Sequence, residues 1–220
     1  MARKRKRNAE REERRPRARR AEAPAGPSGL PYGRFLRNLL LAVVPVALVW
    51  VALTPFLDNF LRVGGEALVH LTEVPNVTEL LPAATDRHYA LIHRLDFPPA
   101  RRNVTSFRVT DLHFHLVLLG VLFLAVPGVP WKRRLGNLGQ AALITLAFDV
   151  VLVLLWVKFT YATQLGDWSL EHYGAFARNA WGLAKHVADL PIKLALPFAL
   201  WAAFYLRLLL PRRAAAAGDA

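Results

Sequence analysis

The chain has 220 residues, 54% of them apolar, a mean hydropathy of +0.25 and a formal net charge of +13. That is too apolar for an ordinary soluble domain of this size and points to a membrane protein. The lack of cysteine excludes disulfides, thiolate catalysis and Cys-ligated metals. The positive charge is not a nucleic-acid signal, because residues 1–20 alone carry eleven Arg or Lys (Arg3, Lys4, Arg5, Lys6, Arg7, Arg11, Arg14, Arg15, Arg17, Arg19, Arg20). The abundance of Arg, Ala and Leu suits a bacterium with a GC-rich genome.

Residues 1–33 read as a disordered, basic cytoplasmic tail, with Pro, Gly and charge but no apolar period. It is not a cleavable signal peptide, because the basic region is too long and no clear small-residue cleavage site follows the apolar run. Anionic inner-leaflet lipid is its expected partner, at roughly 1 kcal/mol per basic residue near the surface. Residues 34–57 form the first expected span. Its run NLLLAVVPVALVWVALTPFL (38–57) is free of charge and long enough for the ~30 Å hydrocarbon core. Pro45 and Pro55 are expected to kink it, which a membrane helix tolerates.

Residues 58–112 are expected to be an extracytoplasmic loop domain. Within it YALIHRL (89–95) and NVTSFRV (103–109) have strand composition, and DFPPAR between them has turn chemistry, which predicts a β-hairpin. The second span is expected over 113–130, a cytoplasmic link over 131–137, and the third span over 138–160. The fourth is expected over 190–210, with Lys193 and Arg207 snorkelling to opposite interfaces. Residues 211–220 read as a second cytoplasmic tail. The dense basic segments, including Lys132-Arg133-Arg134 and Arg212-Arg213, fall on one side if there are four spans. The positive-inside rule makes that side the cytoplasm of a bacterial inner membrane.

Between the third and fourth spans lies LGDWSLEHYGAFARNAWGLAKHVADLP (165–191). With Ser169 as N-cap and a helix to about Asp189, polar pairs recur at heptad spacing: Glu171-His172, Arg178-Asn179, Lys185-His186. Tyr173, Phe176, Ala177, Trp181 and Ala184 fill the other face. The segment 161–189 therefore reads as an amphipathic helix lying on the outer membrane interface. Trp168, Glu171, His172, Tyr173, Arg178, Trp181, Lys185 and His186 are the partner-contact candidates, since aromatics and Arg dominate interface hot spots.

Asp149 falls mid-span, where a carboxylate costs on the order of 3 kcal/mol and must face protein or water. It reads either as a proton or substrate site, or as a structural carboxylate bonded to Thr145, Tyr205 or a Trp. Lys158 sits on roughly the opposite helix face from it. All seven His are expected on the outer side, and none has the i, i+4 spacing with an acidic partner that a helical metal site uses. No metal, cofactor or catalytic residue is assigned. The chain has only three Ser, no Gly-X-Ser-X-Gly and no phosphate loop.

Residues 114–135 (FHLVLLGVLFLAVPGVPWKRRL) and 158–201 (KFTYATQLGDWSLEHYGAFARNAWGLAKHVADLPIKLALPFALW) resemble the exosortase-H-associated membrane proteins. The resemblance covers about the last hundred residues. It implies an accessory role in envelope protein sorting beside an exosortase. Exosortases themselves resemble cysteine transpeptidases, and this chain has no Cys. It also lacks the Pro-Glu-Pro signal of a sorted substrate. The expectation is an all-α, four-span membrane protein with a small outer domain and a non-enzymatic, partner-binding role. The alternative is a small membrane enzyme or proton-coupled transporter using Asp149 or the outer His and Arg residues.

Overall fold

A computed structural model describes residues 32–209. The tails expected over 1–33 and 211–220 lie outside it, except that the first helix already begins at Tyr32. In chain order the elements are α1 (Tyr32–His70), β1 (Thr78–Pro82), β2 (Tyr89–Arg94), β3 (Asn103–Arg108), α2 (Thr110–His113), α3 (His115–Ala125), α4 (Trp131–Thr163), α5 (Asp167–His172), α6 (Ala175–Val187) and α7 (Lys193–Leu209). Three stretches are long and apolar enough to cross a membrane: Tyr32–His70, Trp131–Thr163 and Ala175–Tyr205. Thr110–Ala125 is apolar but shorter. Leu40, Leu41, Val44 and Leu48 stand exposed on α1, an apolar surface suited to lipid rather than water.

The helices meet end to end in a consistent way. Asn38, near the start of α1, donates from its side chain to the Ala125 carbonyl at the end of α3. Phe35 packs on Trp201, and Phe123 on Tyr205. The start of α1 and the ends of α3 and α7 therefore share one end of the bundle. The turn back into α4 is there too. Gly128 takes a positive φ in it, and Arg134 ties it by donating to the Val129 and Leu124 carbonyls.

The expected boundaries shift in three places, each for a packing reason. The first helix does not stop at Leu57 but runs on to His70. Leu57, Leu61, Gly65 and Val69 continue a buried stripe at i, i+4 spacing, and Asp58 is buried with partners rather than marking an exit into water. Thirty-nine residues at about 1.5 Å each make roughly 58 Å, nearly twice the ~30 Å core. The expected link 131–137 is helical, because Pro130 precedes Trp131 at the helix start and α4 begins there. The third span, expected to fill 138–160, ends in protein rather than lipid. Leu152, Val153 and Val157 are fully buried against Leu80, Ala90, Ile92 and Phe107 of the sheet. Hydropathy alone does not distinguish these two apolar environments.

A further difference concerns the segment after α4. It is not one helix from Ser169 to Asp189. Tyr173 leaves the helical conformation and Gly174 is extended, so α5 ends at His172 and α6 starts at Ala175. Nor does it end before the last span. α6 passes into α7 through one widened turn, where the Lys193 N–H reaches back to the Ala188 carbonyl. Pro191 lacks the N–H that the ordinary ladder needs, and the wider turn absorbs the gap. Phe176, Leu183, Leu190, Leu194 and Phe198 form one exposed apolar stripe along both helices.

The sheet is an antiparallel meander in the order β1-β2-β3. The expected hairpin is β2 and β3, paired from Tyr89↔Arg108 to His93↔Asn103 with an irregularity at Ile92/His93. β1 is an additional strand, paired from Thr78↔Arg94 to Pro82↔Ala90. Along β2 the inward residues are Ala90, Ile92 and Arg94, as period-2 alternation requires.

Two glycines set the helix spacing. A Cβ at Gly65 of α1 falls 2.3 Å from Val153 of α4, and one at Gly120 of α3 falls 2.8 Å from Val46 of α1. Small residues here let backbones approach closely, as membrane helix pairs require. Gly65→Ala is expected to cost about 1–3 kcal/mol by overpacking. Gly139→Ala, with open space around it, is expected to be neutral or to stabilise by up to about 1 kcal/mol through helix propensity. Thermal or denaturant unfolding in detergent checks both, and equal effects would contradict the packing.

Candidate functional site: a cavity beside a buried arginine

The alternation of β2 turns Arg94 inward, so a guanidinium sits where a third apolar side chain would be expected. It is 6% exposed. Its surroundings compensate in two ways. Nε and Nη2 donate to the two carboxylate oxygens of Asp96 at 2.9 and 2.6 Å, a bidentate pair. The guanidinium carbon lies 4.8 Å from the Phe97 ring centroid, 4.6 Å from Tyr161 and 4.5 Å from Trp168, within cation–π range. Burial pulls the Arg94 pKa down, but the Asp96 bond and charge outweigh it and the net direction is up. The Arg94 hydrogen bond holds Asp96 below the usual carboxylate range, against a smaller opposing effect of burial.

One wall of this cluster opens on a cavity of about 490 Å³. Thr72, Glu73, Val74, Pro75 and Val77, after α1, line one side. Lys158 and Tyr161 of α4 line another, and Trp168, His172 and Tyr173 close it. Glu73 accepts the Thr78 hydroxyl on Oε1, while its buried Oε2 has no partner. Lys158 retains 9% of its exposure and makes no hydrogen bond or ion pair among the described residues. Trp168 stacks on His172 with ring centroids 4.1 Å apart.

Of the eight contact candidates, the fold brings Trp168, His172 and Tyr173 together here. It sends the others elsewhere. Glu171 is exposed on α5, and Arg178 and Trp181 are half-buried on α6. His186 is exposed, its ring edge-on to Phe159. Lys185 is not on an outward polar stripe. It is buried, with Nζ 3.7 Å from the Trp156 ring centroid and 3.2 Å from Asp189. Glu73, Arg94, Asp96, Lys158 and Tyr161 were not singled out from the sequence as site residues. Only Arg94 carried a usable signal, its strand parity with Ala90 and Ile92.

Two other polar centres lie in the helices. Asp58 accepts from His88 Nδ1 at 2.6 Å, His113 Nε2 at 2.8 Å and the Thr110 hydroxyl at 3.2 Å. Trp50 Nε1 donates to His113 Nδ1 at 3.1 Å, so His113 carries its proton on Nε2. This network fastens α1 to the approach to β2 and to α2. Asp149 is fully buried, with His115 Nε2 3.5 Å from its Oδ1; neither side chain has a hydrogen-bond partner among the described residues. The expected bonds to Thr145 or Tyr205 are not made. The Thr145 hydroxyl turns back to the Ala141 carbonyl, and the Tyr205 hydroxyl is unpartnered. Asp149 lies level with the start of α3, where His115 opens that helix, and neighbouring Val150 packs against Gly64 of α1. Among the described residues no group of three or more His, Asp or Glu is placed to hold a metal ion.

A larger trough of about 800 Å³ runs between α1, α3 and α4. Its walls are apolar, and the Asn38 and Arg134 bonds go to backbone carbonyls. Of the two cavities, the one beside Arg94 carries the charged lining of Glu73, Asp96 and Lys158.

A carboxylate with a depressed pKa stabilises the fold above its unfolded value of about 3.9 and loses that contribution as pH falls. Asp96 is such a group. Melting temperature in detergent should therefore fall on acidification from roughly pH 5 to pH 3, and Asp96→Asn should fall less steeply over the same range. Parallel curves would contradict the pairing. Comparison with known protein families, with curated proteins and with solved structures finds no match to this chain.

Proposed function

We propose that this chain is a non-enzymatic accessory protein of the bacterial inner membrane that binds a membrane partner through its outer cavity. The observation that carries the reading is Lys158, a nearly buried cation without a partner, facing a cavity walled by Trp168 and Tyr173. A buried unpaired charge is costly, and a ligand group that meets it offsets that cost. The nearby hydroxyls support binding over catalysis. Ser169 donates to the Tyr161 carbonyl and accepts the Leu165 N–H, and Thr78 and Tyr161 share a hydrogen bond. Ser169 and Tyr161 have no base beside them, and Thr78, which donates to Glu73 Oε1, is buried and held by Tyr161 rather than open to a substrate.

In this reading α1, α3, α4 and α7 are four spans, with both chain ends in the cytoplasm. Support comes from the shared end of α1, α3 and α7 and from Arg134 in the turn there. α3 is short, but it is packed among the other helices, with Leu119 to Phe123 buried. The resemblance of 114–135 and 158–201 to exosortase-associated proteins makes an exosortase in envelope sorting the partner of choice. A second reading, a proton-coupled device, is favoured by the buried His115–Asp149 pair.

Affinity purification from native membranes, with mass spectrometry, tests the proposal. A stoichiometric membrane partner is expected, lost in Lys158→Met with Trp168→Ala and kept in Asp149→Asn. Recovery of the chain alone, with function lost in Asp149→Asn, would favour the second reading instead. Because the chain has no cysteine, Thr85→Cys and Gly136→Cys report topology directly. An impermeant maleimide applied from outside should label the first and spare the second.

A further inference from the structure

The outer cavity presents two orphan charges of opposite sign. Lys158 offers an ammonium with no acceptor, and Glu73 offers a buried carboxylate oxygen with no donor. They face the same space of about 490 Å³ without forming an ion pair with each other. The other charged pair in the wall, Arg94 with Asp96, already satisfies itself. An anion alone would satisfy Lys158 but meet the Glu73 carboxylate. A cation alone would satisfy Glu73 but meet Lys158. Either would leave one buried charge uncompensated.

We infer that the cavity is a binding site for a zwitterion, a group carrying a primary ammonium and a carboxylate or phosphate a few bonds apart. This deepens the reading of the cavity as the binding site. The ligand ammonium pairs with the Glu73 carboxylate, and its anionic end accepts from Lys158 Nζ. The Tyr173 ring lines the same space and is left to flank the ammonium, since Arg94 and His172 take the two faces of Trp168. The same chemistry comes from two sources: the ethanolamine phosphate headgroup of a membrane lipid, or a free amino acid.

The test uses the full purified chain. It is placed in phosphatidylglycerol nanodiscs, with and without phosphatidylethanolamine, and retained lipid is read by native mass spectrometry. The same protein in phosphatidylglycerol discs is titrated calorimetrically with O-phosphoethanolamine, glycine and inorganic phosphate. Retention of phosphatidylethanolamine identifies a lipid source, and binding of glycine a soluble one. Glu73→Gln and Lys158→Met should each weaken binding by about tenfold or more, the size of one charge-assisted hydrogen bond, with little change in melting temperature. If Lys158→Met unfolds the chain, Lys158→Arg, which keeps the charge, should bind while Glu73→Gln does not. No binding by any zwitterion would overturn the inference. So would phosphatidylglycerol or phosphate binding as tightly and ignoring Glu73→Gln. A partner that still co-purifies when no zwitterion binds would overturn the ligand class alone. Loss of both would overturn the cavity as a site.

Discussion

A guanidinium buried at the end of a strand is the constraint around which the sheet end of this protein is organised. Arg94 cannot leave the inner face of the sheet without reversing the alternation that buries Ala90 and Ile92. Its charge must therefore be met where it stands. Asp96 meets it electrostatically, and Phe97, Tyr161 and Trp168 meet it with ring faces. These groups come from the strand connection, the end of α4 and α5. One side chain thus fixes where the sheet, the long helix and the short helix lie relative to one another. The cavity is the space left beside that junction.

The same junction explains why α1 and α4 are so much longer than a bilayer needs. Their C-terminal ends serve as the floor of the sheet, with Gly65 set tightly on Val153 and Tyr161 bonded to Thr78. A sheet of three short strands is marginal alone in water. Packed on helices already fixed at their other ends, it gains a core that it lacks by itself. The price is an apolar surface shared between lipid below and protein above, on one uninterrupted helix.

That sharing decides what could be read from the sequence. The apolar helices, the β2–β3 hairpin and the turn chemistry of DFPPAR were legible, because each is a local signal. β1 was not, since TELLP is brief and ends in Pro82, a residue suited to a strand end but weak as a strand signal. The extent of α1 was hidden by Asp58, whose charge reads as an exit from the membrane until its three donors are known. The period of the segment around Trp168 suggests one helix where Tyr173 and Gly174 make a corner. That corner turns Trp168, His172 and Tyr173 into the cavity and leaves Arg178 and Trp181 on another face. Glu73 and Lys158 were illegible as a pair. They are far apart in the chain, and only the packing of α1 against α4 makes them neighbours.

The most direct test of this account is hydrogen exchange, read by mass spectrometry, on Arg94→Met in nanodiscs. Methionine fills similar apolar space but gives Asp96 and the rings nothing to hold. The account predicts faster exchange in β2 and in the α5 corner, residues 89–94 and 166–173, with the helices 38–57 and 115–125 unchanged. Unchanged protection throughout would contradict the arginine as the organising contact. Loss of protection in every helix would place the bundle's stability on the sheet, contrary to the account.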